Sequence, residues 1–166
     1  MNMANIRALL RFDSRLGPMT IAASETGVCG LWFEGQKHQP ILEDRLNSVS
    51  DHFLQAAKEQ VLAWLAGDLS RFDLPLDLQT GTDFQQSVWQ ALLDIPRGQT
   101  ITYAQLGKRM GKPKASRAVG GAVGRNPLSI IVPCHRVVGS NGEMTGYAGG
   151  IERKRELLSL EARTAH

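Results

Sequence analysis

The sequence predicts an α/β protein in two parts. An N-terminal α/β domain with an antiparallel sheet would span residues 1–80, and a mostly helical C-terminal domain with a helix-turn-helix would span residues 81–166. Three observations lead to this prediction. The first third carries short apolar segments between turn residues, as an antiparallel meander does. The composition then shifts at "QTGTD". Two capping-box patterns follow, and a tight Gly/Pro turn joins the second of these helices to a third.

The N-terminal elements begin with three predicted strands. "IRALLRF" and "MTIAAS" flank the turn "DSRLGP", and "TGV" leads into "CGLWF". "RFDLPLDL" alternates like a fourth, short strand, in which Pro75 favours an edge position. Between them, "DHFLQAAKEQVLAWLAGD" predicts a helix that Gly67 can end in a left-handed conformation. The apolar face of this helix would consist of Phe53, Leu54, Ala57, Val61, Leu62 and Leu65.

The C-terminal elements are predicted mainly from helix-start patterns. Thr82 and Gln85 form a capping box before "DFQQSVWQALLDI", and Thr102 and Gln105 form another before "YAQLGKRM". Gly111 suits the end of that second helix. "KASRAVGGAVGRN" follows after a short turn, so the pair has the outline of a helix-turn-helix. "IERKRELLSLEAR" predicts the last helix.

The helix predicted over "AVGGAVG" is unusual because neither face carries a large side chain. Each glycine costs a helix roughly 1 kcal/mol relative to alanine. Close packing against another helix would explain such a composition. The other explanation is a partner that leaves little room, and the DNA minor groove is too narrow for an ordinary recognition helix.

Charge is distributed unevenly along the 166 residues, whose net charge is +3. Residues 1–94 carry seven Lys/Arg and twelve Asp/Glu, whereas residues 95–142 carry eight Lys/Arg and no acidic residue. A segment without carboxylates predicts a surface for a polyanion such as DNA. A solvated basic face is the alternative.

Several classes of protein are disfavoured. No apolar run is long enough to span a bilayer, and the N-terminus lacks a secretory signal, so we expect no membrane association. Two cysteines exclude a disulfide scaffold and favour the cytoplasm. The residues that could supplement Cys134 as metal ligands show no ligand spacing, so we expect no metal and no cofactor. They are Cys29, His38, His52 and His166.

The candidate nucleophile lies in "IIVPCHRVVGS", where Cys134 precedes His135. A thiol reacts as a thiolate and needs a neighbouring base or cation. In an extended strand adjacent side chains point to opposite faces, so the pair can meet only if the chain turns at Pro133 and Cys134. A buried, inert cysteine is the alternative at this point.

The segment "PCHRVVGSNGEMTGYAGG", with the upstream "RAVGGAVGRNP", resembles the active-site segment of the O6-alkylguanine-DNA alkyltransferases. The resemblance covers Gly81 to Glu161, and the first half is compatible with the ribonuclease H-like N-terminal domain of that family. It implies a DNA repair protein that flips O6-alkylguanine out of duplex DNA. The alkyl group would pass irreversibly to Cys134 in a single turnover. O6-methylguanine is the expected substrate, with O4-methylthymine as a further candidate.

The resemblance also implies catalytic roles. Cys134 would be the nucleophile and His135 its base through a water molecule, with Glu161 orienting the imidazole. Asn126 would hold the segment that carries the cysteine. Tyr103 would donate its hydroxyl proton to guanine N3.

The implied binding surfaces are a pocket and a DNA-binding helix. The pocket would be lined by Tyr103, Val137, Tyr147, Ala148 and Gly149. Arg117 would fill the gap left by the flipped base. The side facing the minor groove would include Lys114, Ser116, Ala118, Gly121 and Ala122. Some members have a serine where this chain has Ala148, so the contact of the loop there would be made by backbone only. We expect a monomer, with cooperative assembly on DNA left open.

Three other functions fit the sequence less well. A relative that only binds damaged DNA would lack the cysteine, whereas this chain keeps Cys134. A cysteine hydrolase would need an oxyanion hole, for which no motif is present. A helix-turn-helix regulator would carry polar base-reading residues, and "AVGGAVG" offers almost none.

Overall fold

The structure is a computed structural model that describes residues 5–164. The chain forms two compact units. The first comprises the chain up to Gly81 together with Pro127–Ile131, and the second comprises Thr82–Asn126 and the chain from Val132 onward. An antiparallel sheet forms in the first unit and helices dominate the second, so the predicted fold class is confirmed. No helix within residues 5–164 is long and apolar enough to cross a bilayer.

The first unit is built on an antiparallel sheet in the order β1-β2-β3. Its strands are β1 (Ala8–Ser14), β2 (Gly17–Ala23) and β3 (Val28–Phe33). The predicted meander is therefore correct, with strand ends displaced by a few residues. Gly17, at φ +111°, takes the left-handed conformation that closes the first hairpin. A 3-10 helix at Asp44–Leu46 was not predicted.

Helix α1 (His52–Leu65) starts at Asp51, whose side chain accepts a hydrogen bond from the Leu54 N–H. Gly67 ends the segment at φ +84°, as predicted. The buried residues of this helix are Leu54, Ala57, Val61, Trp64 and Leu65. Phe53 and Leu62 of the predicted face are only half-buried, and Trp64 takes the interior position that was not assigned to it.

The strand predicted over "RFDLPLDL" is wrong, because only Leu76 pairs, in a single bridge to Val28. The Val28 N–H donates to the carbonyl of Pro75 at 2.8 Å, and the Asp77 N–H donates to the carbonyl of Val28 at 2.9 Å. Pro75 has no N–H, so the ladder cannot extend through it. A Cβ on Gly27 would lie 2.5 Å from the Pro75 oxygen, so this close approach requires glycine.

The segment Pro127–Ile131 pairs with β3 although it lies within the predicted C-terminal domain. The Leu31 N–H donates to the Pro127 carbonyl at 2.8 Å, and the Ser129 N–H donates to the Leu31 carbonyl at 3.1 Å. Ile130 follows at φ +73°, inside a tight turn closed by the Ile131 N–H and the Ser129 carbonyl at 2.9 Å. A β-branched residue in this conformation stores strain of about 1–3 kcal/mol.

The second unit contains four helices and two short strands. In chain order they are α2 (Asp83–Leu93), β4 (Ile101–Thr102), α3 (Tyr103–Arg109), α4 (Ser116–Gly124), β5 (Val137–Val138) and α5 (Ile151–Thr164). Both predicted capping boxes are present, and Gly111 closes α3 at φ +72°. Strands β4 and β5 pair in parallel and were not predicted, since two residues are too few to show a period.

Candidate active site

The backbone turns sharply at Cys134. Pro133 (φ −82°, ψ +63°) forms a tight turn in which the Cys134 N–H donates to the Val132 carbonyl at 2.8 Å. A 3-10 helix, Cys134–Arg136, follows directly. The sequence left open whether the chain turns here, and it does. The alternation of an extended strand therefore does not hold the side chains of Cys134 and His135 on opposite faces.

Asn126 ties the end of α4 to this turn. Its side chain is buried, and Nδ2 donates to the Val132 carbonyl at 2.8 Å. Burial raises the pKa of the Cys134 thiol, while a hydrogen bond from Asn126 and the positive charge of Lys154 act in the opposite direction. The thiol is thus buried beside two groups that favour its ionised form.

Glu161 of α5 contacts the 3-10 helix although it lies 26 residues after His135 in the chain. Its Oε1 lies 2.7 Å from Nε2 of His135, and both side chains are almost fully buried. Arg136 contacts the same carboxylate, with Nε 2.9 Å from Oε1 and 3.1 Å from Oε2. The structure therefore brings together the predicted His135 and Glu161, and adds an arginine that was not predicted for the site.

Proton positions in this cluster follow from burial and charge. Burial alone would raise the pKa of Glu161, but hydrogen bonds and charges from His135 and Arg136 lower it to about 2. Burial lowers the pKa of His135, and Glu161 only opposes this. At neutral pH the carboxylate is ionised and can only accept, so Nε2 of the neutral imidazole carries the hydrogen and Nδ1 is the basic nitrogen.

Lys154 is a further residue of the site that sequence reasoning missed. Its side chain is 0% exposed, and Nζ donates to the carbonyls of Val137 and Thr145, each at 2.7 Å. No carboxylate of a described residue lies within 4.0 Å of Nζ. Helical spacing was a usable signal, because Lys154 shares a face of α5 with Leu157 and Glu161. The carbonyl of Val137, one of the predicted pocket residues, receives a hydrogen bond here.

Tyr103, the first residue of α3, is half-buried. Burial raises the pKa of Tyr103, as does the neighbouring Cys134, whereas the hydroxyl of Thr145 opposes the shift. The Thr145 hydroxyl is close enough to influence Tyr103, but it forms no hydrogen bond with any group within residues 5–164. Tyr103 thus keeps its phenolic proton at neutral pH and can act as a proton donor.

The loop between β5 and α5 holds the other predicted pocket residues. Tyr147 and Ala148 are half-buried, and Gly149 is buried. The Gly150 N–H donates to the Tyr147 carbonyl at 2.9 Å, and Nη1 of Arg153 donates to the Gly149 carbonyl at 3.1 Å. These hydrogen bonds to loop carbonyls, one from the backbone and one from a side chain, give the loop a defined shape.

The predicted DNA-binding residues occupy the start and one face of α4, with one exception. Those that are exposed are Lys114, Ser116, Arg117, Ala118 and Gly121. Ala122 is only 3% exposed, and its carbonyl accepts a hydrogen bond from Nε1 of Trp89 at 2.9 Å. The DNA contact predicted for Ala122 is therefore not matched by an exposed side chain, because this residue packs inward towards α2.

The glycines of α4 are not required by packing within the protein. A Cβ on Gly121 or Gly124 would find no heavy atom within 4 Å, and one on Gly120 would lie 3.7 Å from the ring of Tyr103, an ordinary contact distance. Close packing against another helix, one of the two explanations that the sequence allowed, does not account for them.

Cys29, the second cysteine, lies in the apolar core and, among the described residues, not in a metal site. Within residues 5–164 no group of three His, Cys, Asp or Glu side chains could hold a metal ion. Cys29 belongs to a buried apolar cluster with Leu9, Ala22 and Trp32. Burial raises the pKa of Cys29 to about 12, so this thiol stays protonated and unreactive.

Comparisons with known proteins agree on one family. The family model described as "6-O-methylguanine DNA methyltransferase, DNA binding domain" matches residues 83–163, and the model of its ribonuclease-like domain matches residues 9–78. A methylated-DNA–protein-cysteine methyltransferase of Mycobacterium tuberculosis is 48% identical over 150 residues, which cover 90% of this chain and 88% of the relative. One from Methanosarcina acetivorans is 46% identical over 151 residues, covering 90% and 95%.

Solved structures give the same result. The OGT protein of Mycobacterium tuberculosis, crystallised in complex with DNA, has a TM-score of 0.85 at 44% identity and covers 95% of this chain and 94% of its own. The O6-methylguanine-DNA methyltransferase of Pyrococcus kodakaraensis has a TM-score of 0.65 at 30% identity, covering 92% and 98%.

Proposed function

Since the chain belongs to the 6-O-methylguanine DNA methyltransferase family, we propose that it repairs O6-alkylguanine in DNA by transferring the alkyl group to Sγ of its own Cys134. The observation that carries this proposal is the buried cluster in which Asn126 and Lys154 act on the Cys134 thiol and Glu161 holds His135. Burial keeps the resting thiol protonated, while Asn126 and Lys154 favour its ionised form and His135 offers a base, which are the groups that a nucleophilic cysteine requires.

The chemistry moves one proton and one alkyl group. Cys134 passes its proton to Nδ1 of His135 through a water molecule, and Glu161 stabilises the resulting imidazolium. The thiolate attacks the alkyl carbon, the carbon–O6 bond breaks, and its electron pair stays with the base. Tyr103 donates a proton to guanine N3 as this charge develops, and the imidazolium proton restores the phenol. The products are a thioether and guanine, whose N3 proton exchanges to N1 through solvent, and the protein is consumed because the thioether is not hydrolysed.

Access to O6 requires that the damaged nucleotide leave the duplex, at a cost of a few kcal/mol. Arg117, exposed in the first turn of α4, is the residue that fills the vacated space. Gly121 and Gly124 support docking of α4 in the minor groove, because their missing side chains leave open space on the outer face of the helix. The acid-free segment 95–142 supplies attraction to the phosphates.

The pocket for the flipped base consists of Tyr103 and the loop residues Tyr147, Ala148 and Gly149. The carbonyl of Val137 can accept from the guanine amine with its second lone pair, since Lys154 occupies one. Ala148 presents only a methyl group, which widens this side of the pocket. O6-methylguanine is the expected substrate, and O4-methylthymine is a further candidate.

We place the protein in the reducing cytoplasm, because the reaction consumes a free thiol and Cys29 and Cys134 form no disulfide. We propose that a monomer carries out repair, since every proposed site residue lies in one compact unit of a single chain. Cooperative assembly on DNA is a separate property that binding isotherms would measure.

The test is to mix the protein with a duplex carrying one O6-methylguanine and to weigh the intact protein by mass spectrometry. We expect one added methyl group per chain, located on Cys134 by peptide mapping. Cys29→Ala is the matched control and should be methylated like the wild type. Turnover beyond one equivalent, or repair by Cys134→Ala, would contradict the proposal.

A further inference from the structure

Arg136 makes more contacts with the Glu161 carboxylate than His135 does. Its Nε lies 2.9 Å from Oε1 and 3.1 Å from Oε2, and its Nη2 lies 2.8 Å from Oε1. Its Nη1 donates to the carbonyl of Ile95 at 2.6 Å, which fixes the guanidinium from the opposite side. His135 reaches Glu161 through one contact, Nε2 to Oε1 at 2.7 Å. One carboxylate oxygen therefore accepts from both residues.

This sharing affects whether His135 can act as a base. An imidazole beside an unshared buried carboxylate tends to take up a proton and form an ion pair. An imidazolium cannot accept the proton of Cys134. A guanidinium on the same carboxylate offsets the negative charge and repels a positive imidazole, and its own charge is permanent. Because the three side chains are buried, solvent screens these interactions little.

The other charged groups facing the pair do not reverse this effect. Among residues 5–164, Lys154 of α5 and Arg97, which follows α2, are both cationic, and Glu161 is the anion that acts on His135. Burial lowers the pKa of His135, Glu161 raises it, and the charges of Arg136 and Lys154 lower it further. Cys134 becomes negative only when it transfers its proton.

We propose that Arg136 is a positioning residue of the relay: it shares the Glu161 carboxylate so that His135 rests as a neutral base and becomes charged only when Cys134 is deprotonated. The inference rests on the proposed function and extends it to a residue that acts through Glu161. The carboxylate thereby has two roles, as an orienting acceptor for His135 and as one half of a permanent ion pair with Arg136.

The test is the pH dependence of single-turnover methyl transfer from a duplex that carries one O6-methylguanine. In Arg136→Met the acid limb of the profile should move to higher pH by about one unit or more, with the rate regained at alkaline pH. Arg136→Lys keeps the positive charge but loses the paired N–H donors of the guanidinium. The acid limb of its pH profile should therefore stay near that of the wild type. Arg155→Met removes an exposed arginine of α5 and should change neither limb nor rate. A purely structural role for Arg136 would instead scale the rate equally at every pH.

A second neutral variant and a direct titration complete the test. Arg136→Gln retains N–H donors for Ile95 and Glu161 without the charge, and it serves the same measurement if the Met variant does not fold. The proposal is overturned if the acid limb does not shift in Arg136→Met or Arg136→Gln. It is also overturned if Arg136→Lys shifts the acid limb as much as these neutral variants do. In the wild type, the NMR titration of the His135 imidazole should have its midpoint below about 6.5, and a midpoint above that value overturns the proposal. Absence of methyl transfer by the wild type would instead overturn the proposed function.

Discussion

The side-chain nitrogen of Lys154 lies 2.7 Å from the carbonyl oxygen of Val137, in a position where the lysine is 0% exposed. The same ammonium donates to Thr145 and has no carboxylate partner among the described residues. A buried cation is costly unless nearby groups compensate for its lost hydration. Two carbonyl dipoles do so in part, and the thiolate of Cys134 adds a full negative charge when it forms.

Replacing Lys154 with methionine should therefore raise the pKa of Cys134 and slow methyl transfer at neutral pH by about tenfold or more. The thiol pKa is measured from the pH dependence of iodoacetamide alkylation, with Cys29→Ala as the background to exclude the second thiol. Lys154→Arg keeps the positive charge and should retain most of the rate. A folded Lys154→Met protein with an unchanged thiol pKa would show that the ammonium serves only the two carbonyls.

Stability should fall on acidification because of Glu161. Its pKa is about 2 in the folded protein, against an ordinary value of 4.5. A carboxyl group with a lowered folded pKa stabilises the protein above its unfolded pKa, and that contribution is lost as the pH falls from about 4.5 to about 2. A difference of this size corresponds to about 3 kcal/mol. Urea unfolding of the wild type and Glu161→Gln should therefore converge between pH 4.5 and pH 2, and a constant gap would contradict the assignment.

Gly121→Ala should stabilise the protein while weakening its binding to DNA. The added Cβ meets no heavy atom within 4 Å, and alanine is favoured over glycine in a helix by up to about 1 kcal/mol. The same methyl would stand on the face proposed to enter the minor groove. Ala118→Gly is the matched control, because it destabilises α4 without adding bulk. If affinity follows helix stability in both variants, the groove proposal for Gly121 is wrong. Thermal unfolding and fluorescence anisotropy measure the two effects.

Arg117→Ala should slow repair in duplex DNA much more than reaction with a free alkylguanine base, since only the duplex leaves a gap to fill. Arg125→Ala removes an exposed arginine at the other end of α4 and controls for the loss of one charge. That control should weaken duplex binding and reduce its salt dependence while leaving the ratio of the two rates near that of the wild type. If Arg117→Ala lowers both rates equally, Arg117 contributes to the base pocket or to the stability of the fold instead of filling the gap.

Local signals predicted those elements whose boundaries depend on a few adjacent residues. Both capping boxes formed because Thr and Gln three residues apart satisfy backbone N–H groups without help from the rest of the chain. Gly67 and Gly111 ended their helices for an equally local reason. The strand predicted around Leu76 does not form, because a strand depends on a pairing partner and Pro75 limits the pairing to one bridge.

The sequence by itself determined the order Cys134-His135-Arg136 and the small-residue helix, and their resemblance to a known family predicted the chemistry. Only the tertiary structure decided which charges meet there. The helix that brings Glu161 to His135, and Lys154 to the carbonyls of Val137 and Thr145, depends on contacts between separate segments of the chain. A buried ion pair or an ammonium on two carbonyls leaves little trace in local composition, because its energy depends on distance and desolvation, which are set only when the chain is packed.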